Sequence, residues 1–359
     1  MKKSIIATAA AVLLGSSAFA YNPPAGGQNL LRITSPFLLV GAKSAAGGPL
    51  LEVLPDSVVN NPALPGFSQR SSLELAGTML FDSSDESDTS LGGAFDLGLQ
   101  IATRWCVPTI LVQGVFSDYY DMHLGNTINF TAGYSKEITD SLSVGLSGNF
   151  GLLWGAGSDW TLSGALGAYY NAGDAGFLKN LRFGAALTNL GKMYDDTETY
   201  GIDSSASVDA NGNTTIDYAD KWPALATLRV GAAAHLIDAN SFKLGLSADI
   251  ATPGFQNVVF DAGLQMKFFD VVKLSTAWEF DLQEYSKYEY TNLMPSIGLS
   301  FNIIIKSKSE ALRKRDWDQS EINAGAAWQR MYENVDAVSA GVVLDLGLKD
   351  TQPPEIEMW

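Results

Sequence analysis

From residue 70 onward, apolar and polar residues alternate one for one over long stretches. Between Leu91 and Ala102, Leu91, Gly93, Phe95, Leu97, Leu99 and Ile101 hold one parity, while Gly92, Ala94, Asp96, Gly98, Gln100 and Ala102 hold the other. Successive strand side chains point to opposite faces, so such a strand is oily on one side and small and polar on the other. The pattern recurs at 142–150, 242–250, 258–267 and 272–281. A soluble sandwich also alternates, but its strands average about 5 to 6 residues. Here the segments run 10 to 14 residues, and about 9 to 11 tilted residues cross a bilayer. The polar parity is rich in Gly and Ser with occasional charges, which suits the bore of a barrel. Aromatic residues gather at segment ends, among them Trp105, Tyr119, Tyr120, Tyr134, Trp154, Trp160, Tyr169, Tyr170, Phe268, Phe269 and Tyr285, where interfacial girdles lie.

The spacing predicts strands at 70–82, 90–102, 106–118, 124–136, 141–153, 159–171, 180–190, 224–236, 241–251, 257–269, 272–284, 294–306, 320–333 and 336–348. The expected fold is therefore all-β: a 14-stranded antiparallel transmembrane β-barrel over 70–348, with an N-terminal hatch inside the lumen. An even strand number brings both ends of the barrel to one side, taken as periplasmic. The longest connection, 191–223, then faces outward, and 137–140, 237–240 and 270–271 are short inner turns. The connection 307–319, with Lys308, Arg313, Lys314 and Arg315, is long for such a turn and suggests a short helix.

Fourteen strands about 4.8 Å apart at about 40° tilt close on a radius of roughly 14 Å, too wide for wall side chains to fill. Residues 21–69 supply a filler. They combine Gly26-Gly27, Gly47-Gly48 and seven prolines with apolar runs such as Phe37 to Val40 and Leu50 to Leu54, too oily for a free tail. Before them, Lys2 and Lys3, the apolar stretch Ile5 to Leu14 and Ala18-Phe19-Ala20 read as a secretory signal peptide over 1–20. That run is too short to cross about 30 Å of hydrocarbon as a helix. Residues 349–359 form a C-terminal tail.

Composition agrees with a membrane setting and narrows the chemistry. Apolar residues make up 46% and charged residues 17%, against about 25% charge in a soluble domain. One cysteine, Cys106, excludes an intrachain disulfide, and two histidines leave little for metal or acid/base work. A formal charge of −16 argues against nucleic acid as a partner. Neither enzymatic activity nor a cofactor is expected. Asp121-Met122-His123 at a strand end offers an acid and a histidine two apart, a pairing that reads equally as exposed polar surface.

Asn60-Asn61-Pro62-Ala63-Leu64 stands just before the first strand, behind a signal peptide and ahead of fourteen strands. With these features the chain resembles the FadL family of outer-membrane transporters for long-chain fatty acids and other hydrophobic molecules, including the TodX group and spirochaetal relatives. The resemblance implies a hatch motif at Asn61, Pro62 and Ala63, passive uptake of a hydrophobic ligand, and lateral exit into outer-membrane lipid through the third strand. There Ile110, Leu111 and Val112 run consecutively between Pro108 and Gly114, so a gap in the wall and a lateral gate at Pro108 and Gly114 are expected. A plain strand start at Pro108, and a plain Asn-Pro turn at 61–62, are the alternatives. The PorV branch of the same family shares the motif, which leaves open a non-transporting scaffold in secretion or surface interaction.

The last strand, Ser339 to Leu346, resembles the signal read by barrel-assembly machinery, although it is not terminal. The lumen charges Glu74, Asp96, Arg182, Arg229, Lys243, Asp249, Lys267, Lys273, Glu279 and Asp281 are of mixed sign, and pairing with each other or with the hatch is expected since unpaired buried charge is costly. Capture of a ligand carboxylate by Arg182 or Arg229 is the other reading. Asp209, Asn211, Asn213, Asp217 and Asp220 follow a calcium-loop spacing. Thr214 stands where that loop wants glycine, and Asn211-Gly212 reads also as a hairpin turn in an outer loop.

Overall fold

The computed structural model describes residues 22, 24, 30–41, 44–82, 91–103, 105–117, 125–155, 157–195, 197–199, 201, 207–208, 214–215, 218–223, 225–288, 294–314, 318–332 and 335–347. Fourteen strands form its wall: β1 (Ser71–Asp82), β2 (Leu91–Gln100), β3 (Val107–Ser117), β4 (Gly125–Thr139), β5 (Leu142–Gly155), β6 (Gly157–Ala175), β7 (Leu178–Lys192), β8 (Thr227–Ala239), β9 (Phe242–Thr252), β10 (Val259–Phe268), β11 (Val272–Asp281), β12 (Ser296–Lys306), β13 (Gln319–Tyr332) and β14 (Val335–Leu346). Each pairs antiparallel with its neighbours in sequence, and β1 closes on β14 from Ser71 opposite Leu346 to Asp82 opposite Val335. Closure leaves no strand edge, the condition for crossing a bilayer with sheet.

One parity of every strand explains the outside. Leu73, Leu75 and Met79 of β1, Leu146 of β5, Leu162 and Leu166 of β6, and Ile297 and Ile303 of β12 are exposed. An apolar belt encircling a barrel needs lipid rather than water around it. Trp154 and Trp160 stand near one rim, Tyr134 and Tyr170 toward the other. Tyr169 departs from the expected girdle: it faces the bore, buried against Phe67 with ring centroids 5.6 Å apart. No helix among the described residues is long and apolar enough to cross a membrane.

The connection 193–226 marks what we call the upper end; β1 starts and β14 finishes at the lower end. In the upper connection, Ser207–Val208 pairs with Thr214–Thr215, the hairpin expected around Asn211-Gly212. At the lower end, 307–318 is closed by Ser307 N donating to Asp318 O (2.6 Å) around a one-turn helix, Glu310–Arg313.

Both ends of the barrel lie low, but the leading segment does not start there. Asn22 N donates to the Asp220 carboxylate (2.7 Å) and Pro24 bridges Gly201, both in the upper connection. From there the chain descends the bore through a 3-10 turn (Leu30–Thr34), helix α1 (Pro36–Val40) and two further 3-10 turns (Pro55–Val59, Leu64–Phe67) before entering β1. Helix α1 is local chemistry: Ser35 caps it by accepting from Phe37 N (3.2 Å), Pro36 is set for its first turn, and Gly41 N closes on Phe37 O. Pro36, Phe37 and Val40 lie where Gly341, Gly325 and Gly298 leave the inner wall bare.

Candidate ligand cavities on either side of the leading segment

What seats the leading segment is a floor of glycines. Gly145 of β5 and Gly167 of β6 are register partners facing inward. A Cβ on Gly145 would stand 2.0 Å from Pro62 O, one on Gly167 2.0 Å from Asn61 Oδ1, and one on Gly184 1.8 Å from Ala45 O. Only glycine admits such backbone approach. Asn61, fully buried, then ties three pieces together. Its Nδ2 donates to Ala45 O (2.8 Å) and to Ala168 O of β6 (3.0 Å), and its Oδ1 accepts from Ala63 N (3.0 Å). The structure thus seats Asn61, Pro62 and Ala63 against the wall, and the same residues form the Asn-Pro turn, with Ala63 N donating to Asn61 Oδ1 and Leu64 N to Asn61 O (3.1 Å).

Charges complete the attachment. Arg32 pairs with Glu279 of β11, and Glu52 with Lys273. Arg182 donates to the carbonyls of Gly48 (2.8 Å) and Pro49 (3.0 Å). Asp249 accepts from Ala45 N (2.7 Å), and Glu74 accepts from Ser35 Oγ (3.1 Å) and Asp56 N (3.0 Å). Arg229 pairs instead within the wall, with Asp261 at 2.7 Å. Burial pushes the Asp56 carboxyl up to about 6, against the opposing hydrogen bond from Ser35. Arg229 is thus engaged by another wall residue and Arg182 by two carbonyls of the segment, while Nε and Nη1 of Arg182 have no partner among the described residues.

Among the described residues, one cavity lies above the segment and another below. The upper, of about 120 Å³, is bounded by Leu31, Val59 and Asn60 of the segment and by inward residues of the wall from β3 to β11. The lower, of about 210 Å³, opens between Leu51–Leu54, Phe67–Arg70 and the lower ends of several strands. Arg70 there holds Glu321 (2.5 Å) and Asp345 (3.1 Å). Sequence reasoning missed both cavities. The signal that locates them is the set of inward glycines, which marks where the segment touches the wall and so where it does not.

The interruption expected in β3 is absent. Pro108 and Gly114 sit in a strand whose register with β2 and β4 runs without a shift. Ile110 points outward and Leu111 inward, fully buried, so alternation holds and the apolar run reflects an oily bore at that point. The room left by Gly114 is taken by the ring of Phe95, which stacks on Phe116 at 5.9 Å. Register shifts occur elsewhere, notably between β6 and β7 at Gly164/Leu166. Of the calcium-loop residues, Asp209, Asn211, Asn213 and Asp217 lie outside the described residues, as do Asp121, Met122, His123, the signal peptide and the tail; the Asp220 carboxylate is taken up by Asn22 N. Among the described residues no three acidic, His or Cys side chains are grouped to hold a metal ion.

Fold and interior together define a membrane-spanning β-barrel whose bore is occupied by its own leading segment. No family model matches the chain, and no curated protein matches it. Among solved structures it is similar to a deletion mutant of the TodX monoaromatic hydrocarbon channel (12% identity, TM-score 0.49, 89% of this chain and 100% of that one). It is also similar to the CymD monoaromatic hydrocarbon channel (11%, 0.49, 89% and 100%) and to a Pseudomonas aeruginosa FadL homologue (11%, 0.44, 91% and 98%).

Proposed function

We propose that the chain is an outer-membrane transport protein for passive uptake of hydrophobic or amphipathic small molecules, long-chain fatty acids among the candidates, reached after signal-peptide-dependent export. The observation that carries this reading is the division of the bore. A segment seated by glycines and ion pairs fills mid-height, and a separate cavity lies on each side of it. A general pore for solutes would leave that width open, and a passive scaffold would not need a cavity on each side of the segment. Uptake here requires a ligand to reach the upper cavity, the segment to shift, and the ligand to leave below it or through the wall. Insertion would draw on barrel-assembly machinery acting on β14.

The test is direct. Solvent extraction of the detergent-purified chain followed by mass spectrometry is expected to yield a bound small molecule in stoichiometric amount, and cells lacking the protein should take that molecule up more slowly. An empty barrel with unchanged uptake, or secreted proteins co-isolating in its place, would reject transport in favour of a scaffold.

A further inference from the structure

The upper cavity is not lined as a greasy pocket would be. Gln113 of β3 and Asn129 of β4 are direct register partners, both facing inward and both 1% exposed. Gln113 Nε2 donates to Thr34 Oγ1 (2.7 Å) and Asp96 Oδ2 (3.0 Å), which fixes the orientation of its amide and leaves Oε1 with no described partner. Asn129 Oδ1 accepts from the hydroxyl of Tyr194 (3.2 Å), and its Nδ2 has no described partner either. Burial pushes the Tyr194 phenol up, so it stays a neutral donor. A buried acceptor and a buried donor therefore stand side by side on adjacent strands. Leaving both unmade is costly unless something fills them.

Charge at the same cavity restricts what that something is. Its two charged residues, Arg229 and Glu279, are already engaged by Asp261 and Arg32. An incoming carboxylate would have to compete with Asp261 for Arg229 and approach Glu279. Leu31, Val59 and Val259 supply an apolar side.

We propose that the upper cavity binds the uncharged head of an amphipathic molecule, an alcohol or amide, whose hydroxyl or amide group accepts from Asn129 Nδ2 and donates to Gln113 Oε1 while its hydrocarbon part lies on Leu31, Val59 and Val259. This deepens the transport reading and rests on it. Ionised fatty acids are then poor ligands of this cavity.

Native mass spectrometry of the full chain in non-ionic detergent, offered octan-1-ol, octanamide and octanoate at equal free concentration and pH 8, decides it. Octanol or octanamide adducts exceeding octanoate by roughly tenfold are the expected result. Equal or stronger octanoate binding overturns the head-group assignment while leaving transport standing. No adduct with any of the three overturns both. In Asn129→Asp, which keeps the size and replaces the donor by an acceptor, the preference for octanol should fall to near parity; a folded variant that keeps the full preference places the head elsewhere. Should that variant fail to fold, the comparison of the three ligands on the unaltered chain still decides the proposal.

Discussion

A single methyl group on the wall is expected to lift the leading segment. In Gly145→Ala, the added carbon stands 2.0 Å from Pro62 O, 2.3 Å from Pro62 C and 2.7 Å from Ala63 N. Contacts of carbon with carbonyl oxygen rarely come closer than about 3.3 Å, so the backbone at 62–63 must move by about 1.3 Å. It cannot rotate away, because Asn61 is held to Ala45 and Ala168 on one side and Ser143 Oγ donates to Ala63 O (2.7 Å) on the other. Forcing such a fit costs about 1–3 kcal/mol. Gly77→Ala is the matched control, for its carbon would meet only Ala94 O at 4.0 Å. Thermal unfolding of the purified variants, read as loss of the compact band on detergent gels, should show Gly145→Ala less stable and Gly77→Ala unchanged. Cells carrying Gly145→Ala should also become sensitive to an antibiotic too large for ordinary porins. If Gly145→Ala is as stable and as tight as the unaltered chain, the segment is not seated where the geometry puts it.

Three further perturbations separate the forces involved. Arg32→Gln removes the guanidinium that pairs with Glu279, and Glu279→Gln removes the carboxylate that pairs with Arg32; each single change should cost about 3 kcal/mol, and the double variant less than their sum, as a thermal double-mutant cycle would show. Asp56 has its carboxyl raised from 3.8 to about 6, so its contribution, roughly 3 kcal/mol, is fully present below pH 3.8 and is lost as pH rises through 6. Stability should therefore fall between pH 4 and pH 7, and Asp56→Asn should make that slope shallower, provided denaturation is followed at constant ionic strength; an unaltered slope would contradict the assignment. A disulfide between Leu97→Cys and Val112→Cys, register partners across β2 and β3, should leave uptake unchanged because that ladder is continuous; abolished uptake would restore a lateral gate at Pro108–Gly114.

Much of the barrel is legible in the chain because a two-residue period over ten or more residues has few structural outcomes. The predicted segments and the observed strands coincide to within a few residues, from Ser71–Asp82 to Val335–Leu346, and the lower connection at 307–318 turns once as a helix as its length suggested. The interior is less legible, because a bore lined by glycine and serine looks alike whether it faces water or protein. Gly145, Gly167 and Gly184 read simply as small lumen residues until Pro62, Asn61 and Ala45 are seen against them. Leu111 misleads for the same reason: an inward leucine breaks the expected polarity only if the bore is wet, and here it is packed. The upward start of the leading segment at Asn22 has no periodic signature, since it depends on contacts with Gly201, Tyr218 and Asp220 about two hundred residues away. The Gln113–Asn129 pair is likewise invisible without the register that places them opposite one another.

Conductance across a planar bilayer bears most directly on the occupied bore. The full chain, reconstituted alone, should show no steady open state, while a chain lacking residues 21–68 should conduct steadily, as expected of an empty cylinder of roughly 14 Å radius. A full chain that conducts steadily at the level of the truncated one would contradict a lumen filled by its own leading segment.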